Sequence, residues 1–179
     1  MQFSHKWCIY AILLNKYLAM NPLLNKEPVK RAEKTIKDFD PNLKIICLEQ
    51  TARTANDAAT ALDCNVGAIV KSLLFNVGDD FVLCLISGDK KCSLNKLKKI
   101  LNKKDVSMAN PDDVKKITGY TIGGVSPIGH LIKVNIFIDI NLERFSSVFA
   151  AAGHPNCVFK INFDQLSKLT LGVVTDLVE

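Results

Sequence analysis

Apolar residues recur along this chain at two periods, and the switches between them mark the predicted elements. Val29, Ala32, Ile36 and Phe39 fall at helical spacing with charges between them, which predicts an amphipathic helix from Pro28 to just before Pro41. Leu43 to Leu48 is a short, isoleucine-rich apolar run, a predicted strand. Thr54 with Asp57 three residues later is a helix start, and the alanine-rich run to Leu62 continues it. Two strands follow, Ala68 to Val77 and Phe81 to Ile86, joined by a turn at Gly78-Asp79-Asp80. The second is apolar at every position, as expected of a central strand buried on both faces. Ser93 to Asn102 carries Leu94, Leu97, Ile100 and Leu101 on one helical stripe, and Asn110-Pro111-Asp112-Asp113 opens another helix that ends near Gly119. Val134, Ile136, Ile138 and Ile140 share a face against Asn135, Phe137 and Asp139, the pattern of a half-buried strand. Ser147 to Ala152 leads into a tight polar loop, Gly153-His154-Pro155-Asn156, and Cys157 to Phe163 alternates again. A short helix over Asp164 to Leu169 and a last strand over Gly172 to Leu177 complete the chain. Strands outnumber helices and hairpins are mixed in. The expected fold class is therefore α+β, a single domain with a mixed, curved, barrel-like sheet flanked by helices.

Composition narrows this further. With 179 residues, 48% of them hydrophobic, the chain is large enough for one domain with a substantial core. Six cysteines are scattered without a Cys-x-x-Cys pair, several inside apolar runs, so reduced structural cysteines are expected and a disulfide framework or zinc site is not. The net charge of +5 permits an anionic partner without demanding one. Residues 1–19 differ from the rest. Trp7 to Leu14 is an apolar run resembling a signal core, but Asn15 and Lys16 interrupt it, no Ala-x-Ala-like site follows, and it is too short to span a bilayer. It is expected to be a leader or upstream extension, poorly ordered or a short helix, ahead of a domain over residues 20–179.

Three polar features interrupt this apolar pattern. Gly119 to Gly129 holds four of the nine glycines and Pro127, a shaped loop suited to bringing main-chain N–H groups close to a carbonyl or phosphate oxygen; a plain surface turn has the same spacing. Lys71 lies on the Ile69, Leu73, Phe75 face of its strand. Burying an unpaired ammonium costs several kcal/mol, so Lys71 either snorkels to a rim or faces a polar pocket. His154 sits in the second polar loop, where a structural histidine is the ordinary reading, and Ser126 before proline reads as a turn residue before a nucleophile. Seven lysines and no acid lie between Lys90 and Lys104, either a solvated face or a surface for nucleic-acid phosphates.

No Gly-x-Ser-x-Gly elbow, His-Glu-x-x-His site, Walker loop or dinucleotide fingerprint is present, so no cofactor and no metal are expected. Main-chain donors beside a cation suit hydrolysis of an activated ester. The strings Val66-Gly-Ala-Ile-Val-Lys71-Ser-Leu-Leu-Phe75, Gly119-Tyr-Thr-Ile-Gly-Gly-Val-Ser-Pro-Ile-Gly-His130 and Ala150-Ala-Ala-Gly-His-Pro-Asn156 resemble the YbaK/prolyl-tRNA-synthetase-associated domain family over roughly residues 28–177. The resemblance implies a free-standing editing deacylase that hydrolyses mischarged tRNA, the tRNA being tRNA-Pro or a related one carrying a small wrong amino acid. It implies that Lys71 positions substrate and that the loop of Gly123, Gly124, Val125, Ser126 and Pro127 surrounds the scissile carbonyl. Ser72, His154, Gly153 and Thr54 are the expected substrate-binding set, and Lys96, Lys98 and Lys99 the expected tRNA-binding set. The implied partners are the acceptor end of aminoacyl-tRNA and an aminoacyl-tRNA synthetase, with no membrane, a monomeric state and a cytoplasmic location. Two alternatives stand beside it: a non-catalytic tRNA- or aminoacyl-binding regulatory module of the same fold, and an unrelated small-ester hydrolase.

Overall fold

Two consecutive apolar strands with an Asp-rich turn between them form the spine of the sheet. The computed structural model describes residues 21–179 apart from 50, 51 and 53, so the leader expected over residues 1–19 lies outside the described residues. Strands β2 (Ile69–Val77) and β3 (Asp80–Ser87) pair antiparallel from Val70↔Ser87 to Val77↔Asp80 without a break in register. From Val82 to Ser87 every residue of β3 is buried, as its unbroken apolar run predicts for a central strand.

The remaining elements are helix α1 (Glu27–Phe39), strand β1 (Ile45–Cys47), α2 (Ala55–Ala61), α3 (Leu94–Leu101), β4 (Val106–Met108), α4 (Pro111–Thr118), β5 (Asn135–Asp139), β6 (Val148–His154), β7 (Cys157–Ile161), α5 (Phe163–Thr170) and β8 (Val173–Thr175). They assemble into one mixed eight-stranded sheet of order β1-β7-β6-β2-β3-β5-β8, with β4 also pairing β2. The α+β class and the mixed, curved sheet expected from the sequence are what the structure has.

Local sequence explains the helix starts. Thr54 and Asp57 form a reciprocal capping box on α2, and Asn162 with Gln165 forms another on α5. Asn110 caps α4, whose first residue is Pro111, and Gly119 closes it in the left-handed region. Helix α1 buries Val29, Ala32 and Ile36 completely, against the sheet face that carries Leu74, Leu83, Leu85 and Phe159. The other face packs Phe75, Cys84, Ile86 and Phe137 under α3 through Leu97.

Three expectations need correction. Strand β4 lies in a stretch that carries no strong apolar run and had no predicted element. Second, Gly153 and His154 belong to strand β6, so the polar loop between β6 and β7 shrinks to Pro155 and Asn156. Third, β5 is not half-buried: Phe137, Ile138 and Asp139 are all buried, because β3 covers one edge, β8 the other, and cores lie on both faces.

Asp139 is tolerated there because it is used. Its carboxylate accepts the Asn141 N–H at 2.9 Å and the Leu177 N–H at 2.8 Å, tying the end of β5 to the C-terminal segment. Replacing Asp139 by Ala would leave a buried donor at Leu177 without an acceptor. We expect Asp139→Ala to lower stability by about 3 kcal/mol, read as a shift of the urea midpoint without a change in its slope.

Candidate active site

The centre of interest is a cavity of about 210 Å³ set against β2. Its wall includes Thr54, Ala55 and Ala58 of the α2 region, Lys71 and Ser72 of β2, Gly123 and Val125 of the glycine loop, and Pro155 and Val158 around the β6–β7 turn. Val70, Leu74, Val114, Phe149 and Ala151 make the rest largely apolar. At its edge Met108 and Ile122 are 56% and 62% exposed, large apolar side chains left open to solvent beside an opening.

Lys71 is half-buried and does not hang free. Its ammonium donates to the carbonyl of Lys90, which the turn Lys90 N–H to Ser87 C=O presents to it. Burial pushes the Lys71 pKa down from its ordinary value, and the nearby Asp89 carboxylate opposes that shift. Asp89 is itself paired with Arg144 at 3.0 Å. Beside Lys71, the Ser72 hydroxyl oxygen is buried with no hydrogen-bond partner among the described residues.

The loop from Gly119 to Gly129 is held from behind. Arg31 of α1 donates from Nε to the Gly129 carbonyl at 2.7 Å and from Nη2 to the Thr118 carbonyl at 3.4 Å, so one guanidinium bridges the loop's entry and exit. The same group lies 4.7 Å from the Tyr120 ring centroid, a cation–π contact. Tyr120 is fully buried, and its hydroxyl lies 2.9 Å and 3.0 Å from the Ile128 and Gly129 carbonyls, which can accept its proton. A side chain at Gly129, where φ is +71°, would put its Cβ 2.7 Å from that hydroxyl. Sequence reasoning did not single out Arg31 or Tyr120. Tyr120 carried a signal, an aromatic inside a glycine loop, whereas Arg31 carried only its Glu27 partner one helical turn away.

Within the loop, main-chain groups are already partly committed. The Gly124 N–H donates to the Thr121 carbonyl at 2.9 Å, and Pro127 has no N–H. Ser126 is fully buried, its hydroxyl placed 3.5 Å from the Ile128 N–H and its carbonyl 2.8 Å from His130 Nε2. Gly124, Ser126 and Pro127 lie outside the cavity wall, as do Gly153 and His154. The two outlying glycines have packing reasons instead. A Cβ on Gly124 would come within 2.9–3.0 Å of the His154 backbone, and one on Gly153, where φ is +86°, within 2.5 Å of the Pro28 carbonyl. Of this glycine pair the positive φ belongs to Gly123, at +84°. The lysines expected to bind tRNA lie on α3, and Lys96 is engaged there, its ammonium 2.7 Å from Asp176 and 2.6 Å from the Val178 carbonyl.

The chain thus combines a mixed α+β sheet, a largely apolar cavity, a strand lysine on its wall and a glycine loop braced against a hairpin. This chain belongs to the aminoacyl-tRNA editing domain family, whose sequence profile matches residues 49–169. It is 32% identical over 127 residues to the uncharacterized protein YwhH of Bacillus subtilis, covering 70% of this chain and 80% of that one. It is 28% identical over 173 residues to the proline--tRNA ligase of Caldicellulosiruptor bescii, covering 96% of this chain and 27% of the ligase, so it spans about a quarter of that enzyme. A crystal structure described as a proposed trans-editing enzyme for prolyl-tRNA synthetase superposes with a TM-score of 0.82 at 33% identity, covering 86% of this chain and 98% of that one. Among the described residues no helix is long and apolar enough to cross a membrane.

The loop and hairpin carry two histidines whose states are readable. Burial pushes both pKa values down, aided by Arg31 at His130 and by Lys26 at His154. His130 Nε2 faces a carbonyl, so it carries the proton, and His154 Nδ1 accepts the Asn156 N–H at 3.1 Å, so it does not. A base whose folded pKa is depressed stabilises the fold above its unfolded value and loses that contribution as pH falls through it. We expect nitrogen-detected NMR titration to show both rings as Nε2–H tautomers with midpoints below the ordinary 6.5; a midpoint above it contradicts the packing described. A second outcome concerns packing alone. Gly124→Ala should force the loop off the β6–β7 hairpin, lowering stability by about 1–3 kcal/mol and activity with it, while Ser126→Ala should cost activity far less. The reverse order, with an acyl-enzyme trapped on Ser126, would identify a covalent serine mechanism.

Proposed function

We propose that this protein is a trans-editing aminoacyl-tRNA deacylase that hydrolyses the ester of mischarged tRNA, the tRNA being tRNA-Pro or a relative carrying a small wrong amino acid. The observation that carries the reading is the cavity itself: about 210 Å³ and mostly apolar, with Lys71, Ser72, Gly123 and Val125 on its wall. A space of that size suits a small aminoacyl side chain. The likeness to prolyl-tRNA ligases over a region short of the whole enzyme, and to a structure described as a proposed trans-editing enzyme, supports the same assignment.

In this reading water attacks the acyl carbon, the ester C–O bond to the terminal ribose breaks, and the ribose oxygen leaves as a hydroxyl with the proton that the water gives up. Since the Gly124 N–H is taken and Pro127 has none, the loop donors left for the developing oxyanion are Gly123 and Val125, both on the wall. Lys71, oriented by the Lys90 carbonyl, retains N–H donors for the acceptor-end ribose or the ester oxygen. Ser126, buried and off the wall, is not the nucleophile. Lys98 and Lys99, in the last turn of α3, contribute phosphate contacts, whereas Lys96 is held by Asp176. The tether on Lys71 is also what a binding module without turnover would show, and turnover separates the two.

The experiment is deacylation of a panel of mischarged tRNAs by the purified parent and by Lys71→Ala. Removing one such polar group from an ester-hydrolysing site costs about 10²–10³ in rate. We expect Lys71→Ala to lose activity on that scale with an unchanged melting temperature. A parent that leaves every member of the panel intact would sink the deacylase reading, and a fully active Lys71→Ala would remove Lys71 from the mechanism.

A further inference from the structure

Strand β2 is paired along one edge and interrupted along the other. On the β3 side the ladder is continuous from Val70 to Val77. On the opposite side β6 reaches only Ile69 and Val70, and β4 only Phe75 to Val77. The Leu74 carbonyl accepts the Ala109 N–H at 3.0 Å, so the main-chain groups of Leu74 point away from β3. In a strand, a residue's N–H and C=O leave by the same edge and the edge alternates with each residue. With no shift of register between Leu74 and Val70, the N–H and C=O of Ser72 also point away from β3, into the interval that neither β6 nor β4 fills. The cavity occupies that interval, with Phe149 and Ala151 of β6 on one flank and Met108 and Ala109 on the other. The Ser72 hydroxyl beside them is buried and unpartnered among the described residues. Ser72 thus presents a main-chain donor and acceptor to a largely apolar space, an arrangement that costs stability unless something fills it.

We infer that Ser72 binds the aminoacyl group as a single added strand residue, through its main chain. The inference rests on the deacylase reading for the identity of the ligand. An aminoacyl ester is the backbone of one residue: an amine, an α-carbon and an acyl carbonyl. Laid antiparallel in the gap, its ammonium donates to the Ser72 carbonyl and its acyl oxygen accepts the Ser72 N–H, closing the ring of a hydrogen-bonded antiparallel pair. The acyl oxygen keeps a second lone pair for the loop donors. Directly opposed residues place their side chains on one face. An L-aminoacyl side chain therefore lies beside the Ser72 hydroxyl, on the face of Val70 and Leu74, toward Val114 and Val125. A D-aminoacyl group paired the same way turns its side chain to the other face, which Lys71 and Leu73 occupy. The main chain of Ser72 so selects a free α-amine and the L configuration, and the apolar wall selects size.

The test uses the full chain and a non-hydrolysable probe, 3′-deoxy-3′-(L-alanylamino)adenosine, compared with its D-alanyl, N-acetyl-L-alanyl and propionyl counterparts. Affinity is measured by titration, and the Ser72 amide is followed by proton–nitrogen NMR. We expect the L-alanyl probe to move the Ser72 amide proton downfield and to bind at least tenfold more tightly than the other three. Equal affinity of the propionyl and L-alanyl probes, or no Ser72 shift at millimolar probe, overturns the inference. Failure of the two readings is distinguishable. A protein without turnover that still discriminates the probes retains this mode of binding. One that deacylates L-alanyl and N-acetyl-L-alanyl tRNA equally well is an editing enzyme that binds its substrate in another way.

Discussion

The rest of the molecule depends on how far β2 is paired. Its ladder with β3 fixes the sheet, because β5 and then β8 build outward from β3 in parallel. On its other edge the pairing is cut short from both ends for separate reasons. Strand β6 leaves β2 after Ala150 and shifts register between Ala151 and His154 as it turns into its hairpin with β7. Strand β4 stops at Met108, because Asn110 caps a helix whose first residue is a proline and the chain must turn there. A sheet normally closes such an interval, since unpaired main-chain groups in an apolar setting are unfavourable. Here the two strands diverge, and the cavity is the space between them.

The opposite wall of that cavity is positioned by a helix far from it in sequence. Helix α1 meets the β6–β7 hairpin where the Pro28 carbonyl sits against Gly153, and meets the glycine loop where Arg31 binds the Thr118 and Gly129 carbonyls. Loop and hairpin then touch each other at Gly124 and His154. Three segments are thereby locked together, and the contacts at Gly124 and Gly153 admit no extra methyl group, which accounts for glycine at positions off the cavity wall. Arg31 suits its post because a guanidinium offers several donors in one plane and can stack on Tyr120 at the same time, which an ammonium could not do.

What the sequence revealed and what it hid divide along the range of the interaction. Helix starts at Thr54, Asn110 and Asn162 are local agreements between a side chain and the amide three residues on, and each helix was legible except for its ends. The hairpin of β2 and β3 was legible from its run lengths and turn. Lys71 was legible as an anomaly, a charge on an apolar face, but its partner is a carbonyl nineteen residues away that no periodicity predicts. Asp139 misled for the same reason. Its two amide partners and the strand β8 that buries it come from the far end of the chain, so alternation alone assigned it to solvent. Gly124 was read with the carbonyl-holding loop and Gly153 and His154 with the substrate-binding set, and their close packing against each other and α1 carried no local signal.

The lysine-rich segment shows how a charge run can be divided by its surroundings. Lys96 is held by Asp176 and the Val178 carbonyl, part of a clip in which Ser93 binds the Leu177 carbonyl and Glu179 binds that of Lys91. Lys98 and Lys99 lie in the last turn of α3, where cations oppose the partial negative charge of the helix end. Both roles are met without any nucleic acid, which accounts for much of the run on structural grounds. Yet neither cancels the charge presented to solvent by Lys98, Lys99, Lys103 and Lys104, since no acid lies among them. Helix α3 also leads directly into β4, whose Met108 borders the cavity. A polyanion drawn to that corner would arrive beside the opening, an attraction that weakens with salt.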